Sequence, residues 1–316
     1  MSVVILLDYE ENLIFKVAWF YYMENMTQQQ ISEQLCLSRM KVIKYLEKAR
    51  NLGIVQFKIK SDGEKRIHIE RTLMKTFGLK DAYVIPTIDS NINESIAKAA
   101  AQYIEGHLIP NSYINVGYGD TVSRTINNLI FSLDIPVSLV TLSGGVSCYT
   151  SSIAGAGKSD PTRPTPQIYF VPSPLIVSSV EMAEAIWEEK SVKEIMNMAE
   201  LAYMTVISIG AVDENATIFR DNKISHNELI LLKMNGAVGD ILSQFYDKDG
   251  NKIDFELHKR LVSTQLDTLK DMKNVIGVAG GPSKVHAILG ALKGGYLDVL
   301  ITDESTAESL VNLVNK

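Results

Sequence analysis

The sequence predicts an α/β protein in two parts: a winged helix-turn-helix module over residues 1–60 and a parallel-sheet domain over residues 61–316. Three observations carry this. Residues 26–50 read as two short helices joined by a tight turn, the second helix basic. From Asp81 onward, short apolar strands alternate with helical segments, the pattern of a parallel sheet covered on both faces. The charge is also unevenly shared: residues 1–60 carry +2 and residues 61–316 carry −8, giving the net −6. An acidic body repels nucleic-acid phosphates, so any such contact is confined to the basic end.

The wider composition is that of an ordinary globular chain, with 316 residues, 46% apolar and 22% charged, enough for two domains with real cores. The apolar run at residues 3–7 is too short for a signal-peptide core or a membrane span, so a cytoplasmic chain with no membrane partner is expected. Cys36 and Cys148 fall in different parts and form neither a disulfide framework nor a metal-spaced cluster. The five histidines, at 68, 107, 226, 258 and 286, show no paired spacing, and His286 reads as a helix-surface residue. With no nucleophile elbow either, no catalytic residue, metal or cofactor is expected.

Residues 1–12 suggest no firm structure, and residues 13–23 form an amphipathic helix. Thr27 then caps a helix whose Ile31 and Leu35 share a face. The turn that follows has Cys36 where glycine is common. A non-glycine residue at positive φ is unusual, so this turn is expected to differ from the usual one. Ser38 caps the second helix, in which Met40, Ile43 and Leu46 recur as the apolar face and Arg39, Lys41, Lys44, Lys48 and Arg50 occupy the others. Such a helix suits the major groove of double-stranded DNA, and the contact set is Thr27, Gln28, Ser38, Arg39, Lys41, Val42 and Lys44. A plain helical hairpin with a solvated basic face fits the same residues. Residues 53–59 alternate like a strand and supply the wing.

Residues 61–65 read as a polar turn and a domain boundary, followed by a helix carrying Ile67, Leu73, Met74 and Phe77 and ending at Gly78. Strands are expected at 82–85, 113–116, 137–142, 168–171, 204–209, 275–278 and 299–301. Helices are expected at 92–108, 121–131, 180–200 with a break near Ser191, 282–293 and 305–314. The loop 147–167 is long and rich in Gly, Ser and Pro.

Several glycine-rich turns sit where strands end, the edge at which open α/β sheets bind ligands. Gly117, Gly119 and Thr121 open a helix and fit either a small phosphorylated ligand or a structural turn. Val122 stands where a dinucleotide fingerprint needs glycine. Ser143, Gly144 and Gly145 form a second such turn. Residues 155–159 resemble the tail of a phosphate loop, but Ser152 replaces its first glycine and the prolines at 161 and 164 prevent a following helix; Lys158 and Arg163 fit a solvated loop, with a place near an anion as the alternative. Gly280, Gly281, Pro282 and Lys284 combine a helix start with an ammonium, the strongest anion candidate of the C-terminal part; a capped helix with an exposed lysine is its alternative. Asp240, between glycines, can accept from sugar hydroxyls or brace a turn, and residues 247–251 read as a hairpin turn.

TQQQISEQLCLSRMKVIKYLEKA, VGYGDT, TLSGG, KMNGAVGDILSQFYDKDG, GVAGGPSK and ALKGGYLDVLITDESTAESL together resemble the SorC family of sugar-responsive bacterial transcription regulators over nearly the whole chain. The resemblance implies a Rossmann-like effector domain similar to glucosamine-6-phosphate deaminase and ribose-5-phosphate isomerase. It implies a homo-oligomer, dimer or tetramer, whose grip on operator DNA changes with a phosphorylated sugar-like effector. IFKVAWFYY and VTLSGGV are most similar to members answering phosphorylated autoinducer-2. The effector set expected on these grounds is Gly119, Thr121, Ser143, Gly144, Gly145, Asp240, Gly281 and Lys284, with Lys284 on the phosphate and Asp240 at the far end of the ligand. The kinship with isomerases leaves a sugar-phosphate enzyme as the alternative.

Overall fold

A computed structural model describes residues 2–55, 61–87, 91–145 and 164–314. The chain divides into two compact units, Met1–Gly63 and Glu64–Lys316. The phosphate-loop-like stretch at 155–159, Cys148 and Arg163 lie outside the described residues.

The first unit holds α1 (Ser2–Tyr22), α2 (Gln28–Gln34) and α3 (Arg39–Asn51). Residues 2–12 are helical, against the expectation of no structure there. The run 3–7 is apolar without periodicity, so it gives no amphipathic signal in the sequence. Ile14, Val17, Ala18, Ile31, Val42, Tyr45, Leu46 and Ala49 form the core. Thr27 closes a capping box with Gln30, and the Ser38 hydroxyl accepts from the Lys41 N–H at 3.2 Å. Cys36 takes the positive φ of the turn, at 51°. The Leu37 N–H donates to the Ser32 carbonyl at 3.0 Å and the Ser32 hydroxyl donates to the Leu37 carbonyl at 2.6 Å, which together hold the reversal in place of a glycine. Of the expected wing, residues 53–55 are turn and bend, and residues 56–59 lie outside the described residues.

The boundary turn expected at 61–65 is helical, because α4 spans Ser61–Phe77 and no side chain crowds Gly63. Gly78, at φ 69°, ends α4, and the Leu79 N–H reaches back to the Met74 carbonyl at 3.2 Å.

The second unit is built on β1 (Asp81–Ile85), β2 (Tyr113–Val116), β3 (Ser138–Thr141), β4 (Gln167–Tyr169), β5 (Met204–Ser208), β9 (Val275–Val278) and β10 (Val299–Asp303). They form one sheet in the order β1-β10-β9-β5-β2-β3-β4, every pair parallel. Successive side chains alternate between its faces. On β10, Val299 and Ile301 join the core under α5 (Ile92–Glu105) and α6 (Asp120–Ser132), while Leu300 joins the core containing Leu73, Ile288 and Leu310. The expected helix at 180–200 is two helices, Val180–Glu188 and Lys190–Glu200, broken at Glu189. The segment expected as a helix from Pro282 begins with a 3₁₀ turn and becomes α-helical over Val285–Lys293.

A small antiparallel sheet was not legible in the sequence: β6 (Gly210–Ala211), β7 (Gly239–Ile241) and β8 (Gln244–Tyr246). The turn at 247–251 follows it as expected, with the Asp247 N–H donating to the Asn251 carbonyl at 2.9 Å. Among the described residues, no helix is long and apolar enough to cross a membrane.

Candidate functional site

In the first unit the buried side of α3 is Val42, Tyr45, Leu46 and Ala49. Of the apolar face expected from the sequence, Leu46 is buried as expected and the other two residues are misphased. Met40 is 73% exposed and Ile43 37%, whereas Val42, assigned to DNA contact, is fully buried and reaches no groove. Both triplets satisfy helical spacing, and α1 packs on the side that Val42 occupies. Arg39, Met40, Lys41, Ile43 and Lys44 form one exposed face with Ser38 at its N-terminal end. The Lys41 ammonium lies 5.6 Å from the Tyr45 ring centre. Lys48 is drawn off the basic face into an ion pair with Glu10 at 2.7 Å. The Thr27 hydroxyl is committed to its cap, and Gln28 beside it is half-buried. We expect Val42→Ala to lower the stability of the chain by about 2 kcal/mol through the cavity it leaves. Ile43→Ala should stay within about 0.5 kcal/mol of the parent. Thermal melts of the two variants check this, and equal melting points would contradict the assigned faces.

In the second unit, strand order reverses between β2 and β5: the chain leaves β2 toward β3 on one side and β5 toward β9 on the other. Open parallel sheets bind ligands in the crevice at the carboxyl ends of such strands. A cavity of about 490 Å³ lies there. Tyr118, Gly119, Asp120 and Ser123 form its wall after β2, and Gly145 contributes after β3. Thr217, Arg220, Asp221 and Lys223 form the opposite wall, from the helix Thr217–Arg220 and its exit. The Tyr118 hydroxyl donates to the Asp221 carboxylate and ties the walls together. Gly119, at φ 140°, is required because a Cβ there would overlap the Ser208 hydroxyl.

Lys284 belongs to the same neighbourhood. Burial lowers its pKa and Arg220 lowers it further, while Asp240, Asp120 and Asp213 raise it. Burial holds the Asp240 carboxyl up at about 6, opposed by the Ser243 N–H and by Lys284. That N–H donates to Asp240 Oδ2 at 3.2 Å. It comes from a two-residue hairpin between β7 and β8 in which Leu242 and Ser243 both have positive φ, 52° and 65°. Such a turn normally carries Asn-Gly. Here the Leu242 side chain is buried, and the Ser263 hydroxyl donates to the Leu242 carbonyl at 3.0 Å. Strain held by this packing fixes the donor beside Asp240.

Several expected anion donors are already spent. The Gly281 N–H donates to Asp303 Oδ1 at 3.0 Å and to Thr306 Oγ1 at 2.8 Å, and Pro282 has no N–H. The Gly144 N–H donates to the Val262 carbonyl at 2.9 Å and the Gly145 N–H to the Ser173 carbonyl at 2.7 Å. Ser143 and Thr121 are buried, although Thr121 remains in the first turn of α6, whose N–H groups point toward the crevice end of the helix. Asp240 and Lys284 influence each other's ionisation: the ammonium lowers the pKa of the carboxyl, and the carboxylate raises that of the ammonium. His286 is exposed, as expected.

Residues 61–312 match the sugar-binding domain family. A transcriptional regulator LsrR of Klebsiella pneumoniae is 38% identical over 311 residues, 97% of this chain and 94% of the relative. The chain belongs to the SorC family of sugar-binding transcriptional regulators. A regulator LsrR of Escherichia coli O139:H28 is 35% identical over 307 residues, covering 96% of this chain and 95% of its own. The crystal structure of the full-length sorbitol operon regulator SorC of Klebsiella pneumoniae superposes with a TM-score of 0.67 at 27% identity, covering 95% of this chain and 98% of that one.

For a SorC-family chain, the residues the sequence did not reveal are Arg220 and Lys223. Both are exposed and line the crevice, and among the described residues neither has an ion-pair partner within 4.0 Å. Asp120, by contrast, is neutralised by Arg124 Nε at 3.0 Å. The only sequence signal for Arg220 and Lys223 was their proximity to each other.

Proposed function

We propose that this chain is a DNA-binding repressor whose hold on its operator is set by a phosphorylated, hydroxyl-rich sugar, phosphorylated autoinducer-2 being the first effector to test. The observation that carries this reading is the crevice at the sheet's reversal point, lined by Arg220 and Lys223, which have no ion-pair partner among the described residues, with the half-buried Asp240 and Lys284 in its neighbourhood. The phosphate sits against Arg220, Lys223 and the N-terminus of α6, where donors converge on a dianion. Three carboxylates crowd Lys284, which argues against a second dianion there. Asp240 and Lys284 instead accept from and donate to the sugar hydroxyls. Nothing is turned over: the effector is bound and released in the cytoplasm, and assays of sugar-phosphate isomerisation or deamination should give no product.

The direct check is a thermal-shift series on the full chain with ribose 5-phosphate, glucosamine 6-phosphate and phosphorylated autoinducer-2. A ligand at one hundred times its dissociation constant adds about 2.7 kcal/mol of stability. No shift with any phosphosugar, alongside turnover of one of them, would favour an enzyme.

The DNA half of the proposal rests on the exposed face of α3. Lys41→Ala should weaken binding to all duplexes and flatten its salt dependence, as a phosphate contact does. Arg39→Ala should relax sequence preference at a cost of about 1–3 kcal/mol if it reads a base edge. Gel-shift titrations at two salt concentrations separate the two, and full affinity in both variants would remove α3 from the interface. Two such helices on a homo-oligomer would read an inverted repeat.

A further inference from the structure

α1 has two unlike faces. Ile14, Val17 and Ala18 turn into the core of the first unit. On the opposite side Phe15 is 53% exposed and Trp19 45%, their rings stacked at 6.4 Å between centres. Side chains of this size account for much of the energy at protein interfaces, and a contiguous apolar strip on a helix marks a contact surface. The charges flanking the strip say what covers it. Written as a heptad, Asn12 and Trp19 take the a positions, Phe15 the d position between them, Glu11 the preceding g and Lys16 the e. Glu11 and Lys16 are both exposed. In a parallel pair of such helices each g residue meets the e residue five places on in its partner. Glu11 of one copy then meets Lys16 of the other, twice over. An antiparallel pair sets each flank against its own kind and loses both pairings. A single Asn at an a position fixes register in the same arrangement.

We propose that α1 pairs in parallel with α1 of a second copy about a two-fold axis, through Phe15, Trp19 and the Glu11–Lys16 flanks, and thereby sets the spacing of the two α3 helices. The proposal rests on the DNA-binding reading only for that last consequence.

The test is disulfide trapping in the full chain carrying Cys36→Ser and Cys148→Ser. Asn12→Cys places a thiol on the two-fold axis, and Asn51→Cys serves as an exposed control on α3. Under mild oxidation Asn12→Cys should form covalent dimers about ten-fold faster than the control, because pairing raises the local thiol concentration. Adding Glu11→Lys should slow trapping, and adding Lys16→Glu to that variant should restore it. Trapping at the control rate, or at a rate indifferent to the charge reversals, overturns the interface. The readout needs no DNA. A chain that traps but ignores every duplex keeps the interface and loses the DNA reading, and one that binds DNA without trapping does the reverse.

Discussion

Arg220→Ala should lower the affinity for a phosphorylated sugar at least about ten-fold, because a charged hydrogen bond to phosphate contributes roughly 1.5–3 kcal/mol. It should also erase most of the preference for the phosphorylated over the unphosphorylated ligand. Lys284→Ala should behave differently. Its ammonium is half-buried among Asp240, Asp120 and Asp213, so its loss should weaken both ligand forms by similar factors and leave the preference intact. Neither residue lies in the helix-turn-helix unit, and both variants should hold operator DNA as the parent does. Calorimetric titration with each ligand form measures the contrast. A Lys284→Ala chain that alone lost the phosphate preference would return the phosphate to the Gly281 turn, as the sequence first suggested.

Asp240→Asn should have two effects of opposite sign. The folded carboxyl titrates near 6, against 3.8 for an ordinary one, with burial as the main cause. Between those values the native chain keeps a proton that the unfolded chain has lost. Stability therefore falls as pH rises through this window, and the full penalty persists above it. Removing the charge should stabilise the chain at pH 7.5 by about 1–2 kcal/mol, less than the shift alone implies because the carboxyl is partly accessible to water. The gain should vanish below a pH of about 4, where both states are protonated. Sugar affinity should fall about ten-fold for both ligand forms, since the amide is a weaker acceptor than a carboxylate. Melting curves at the two pH values check the first effect. A variant less stable than the parent at pH 7.5 would mean that the ionised carboxylate is a net stabiliser of the fold.

The sheet was the most legible part of the sequence. β2 and β9 match the expected 113–116 and 275–278 to the residue, because each is a short, mainly apolar run with a glycine within two residues of its end. Parallel strands buried on both faces need no alternation to be seen. The face of α3 was harder, because Met40, Ile43 and Leu46 fit helical spacing as well as Val42, Tyr45 and Ala49 do, and only the position of α1 decides between them. The crevice was half legible. Its glycine turns could be read one by one, but Arg220 ends a four-residue helix and Lys223 lies in the bend after it, where there is no periodic signal. They reach the site only because β5 lies beside β2, a pairing between residues some ninety positions apart. The hairpin at Leu242 and Ser243 gave no signal at all, since neither residue favours positive φ. The commitment of the Gly281 N–H to Asp303 and Thr306 likewise depends on a strand and a helix that follow it in the chain.

The central claim is that a sugar phosphate in the crevice governs the grip of α3 on DNA. The most direct measurement selects a tight duplex from a random library with the full chain. It then titrates that complex with phosphorylated autoinducer-2 and ribose 5-phosphate, with the unphosphorylated sugars as controls. Coupling between two sites typically amounts to about 1–3 kcal/mol, a change of roughly 5–150-fold in DNA affinity. We predict a shift in that range with at least one phosphosugar, none with its unphosphorylated form, and none in Arg220→Ala. A phosphosugar that binds the chain by calorimetry yet leaves DNA affinity unchanged at saturation would contradict the account.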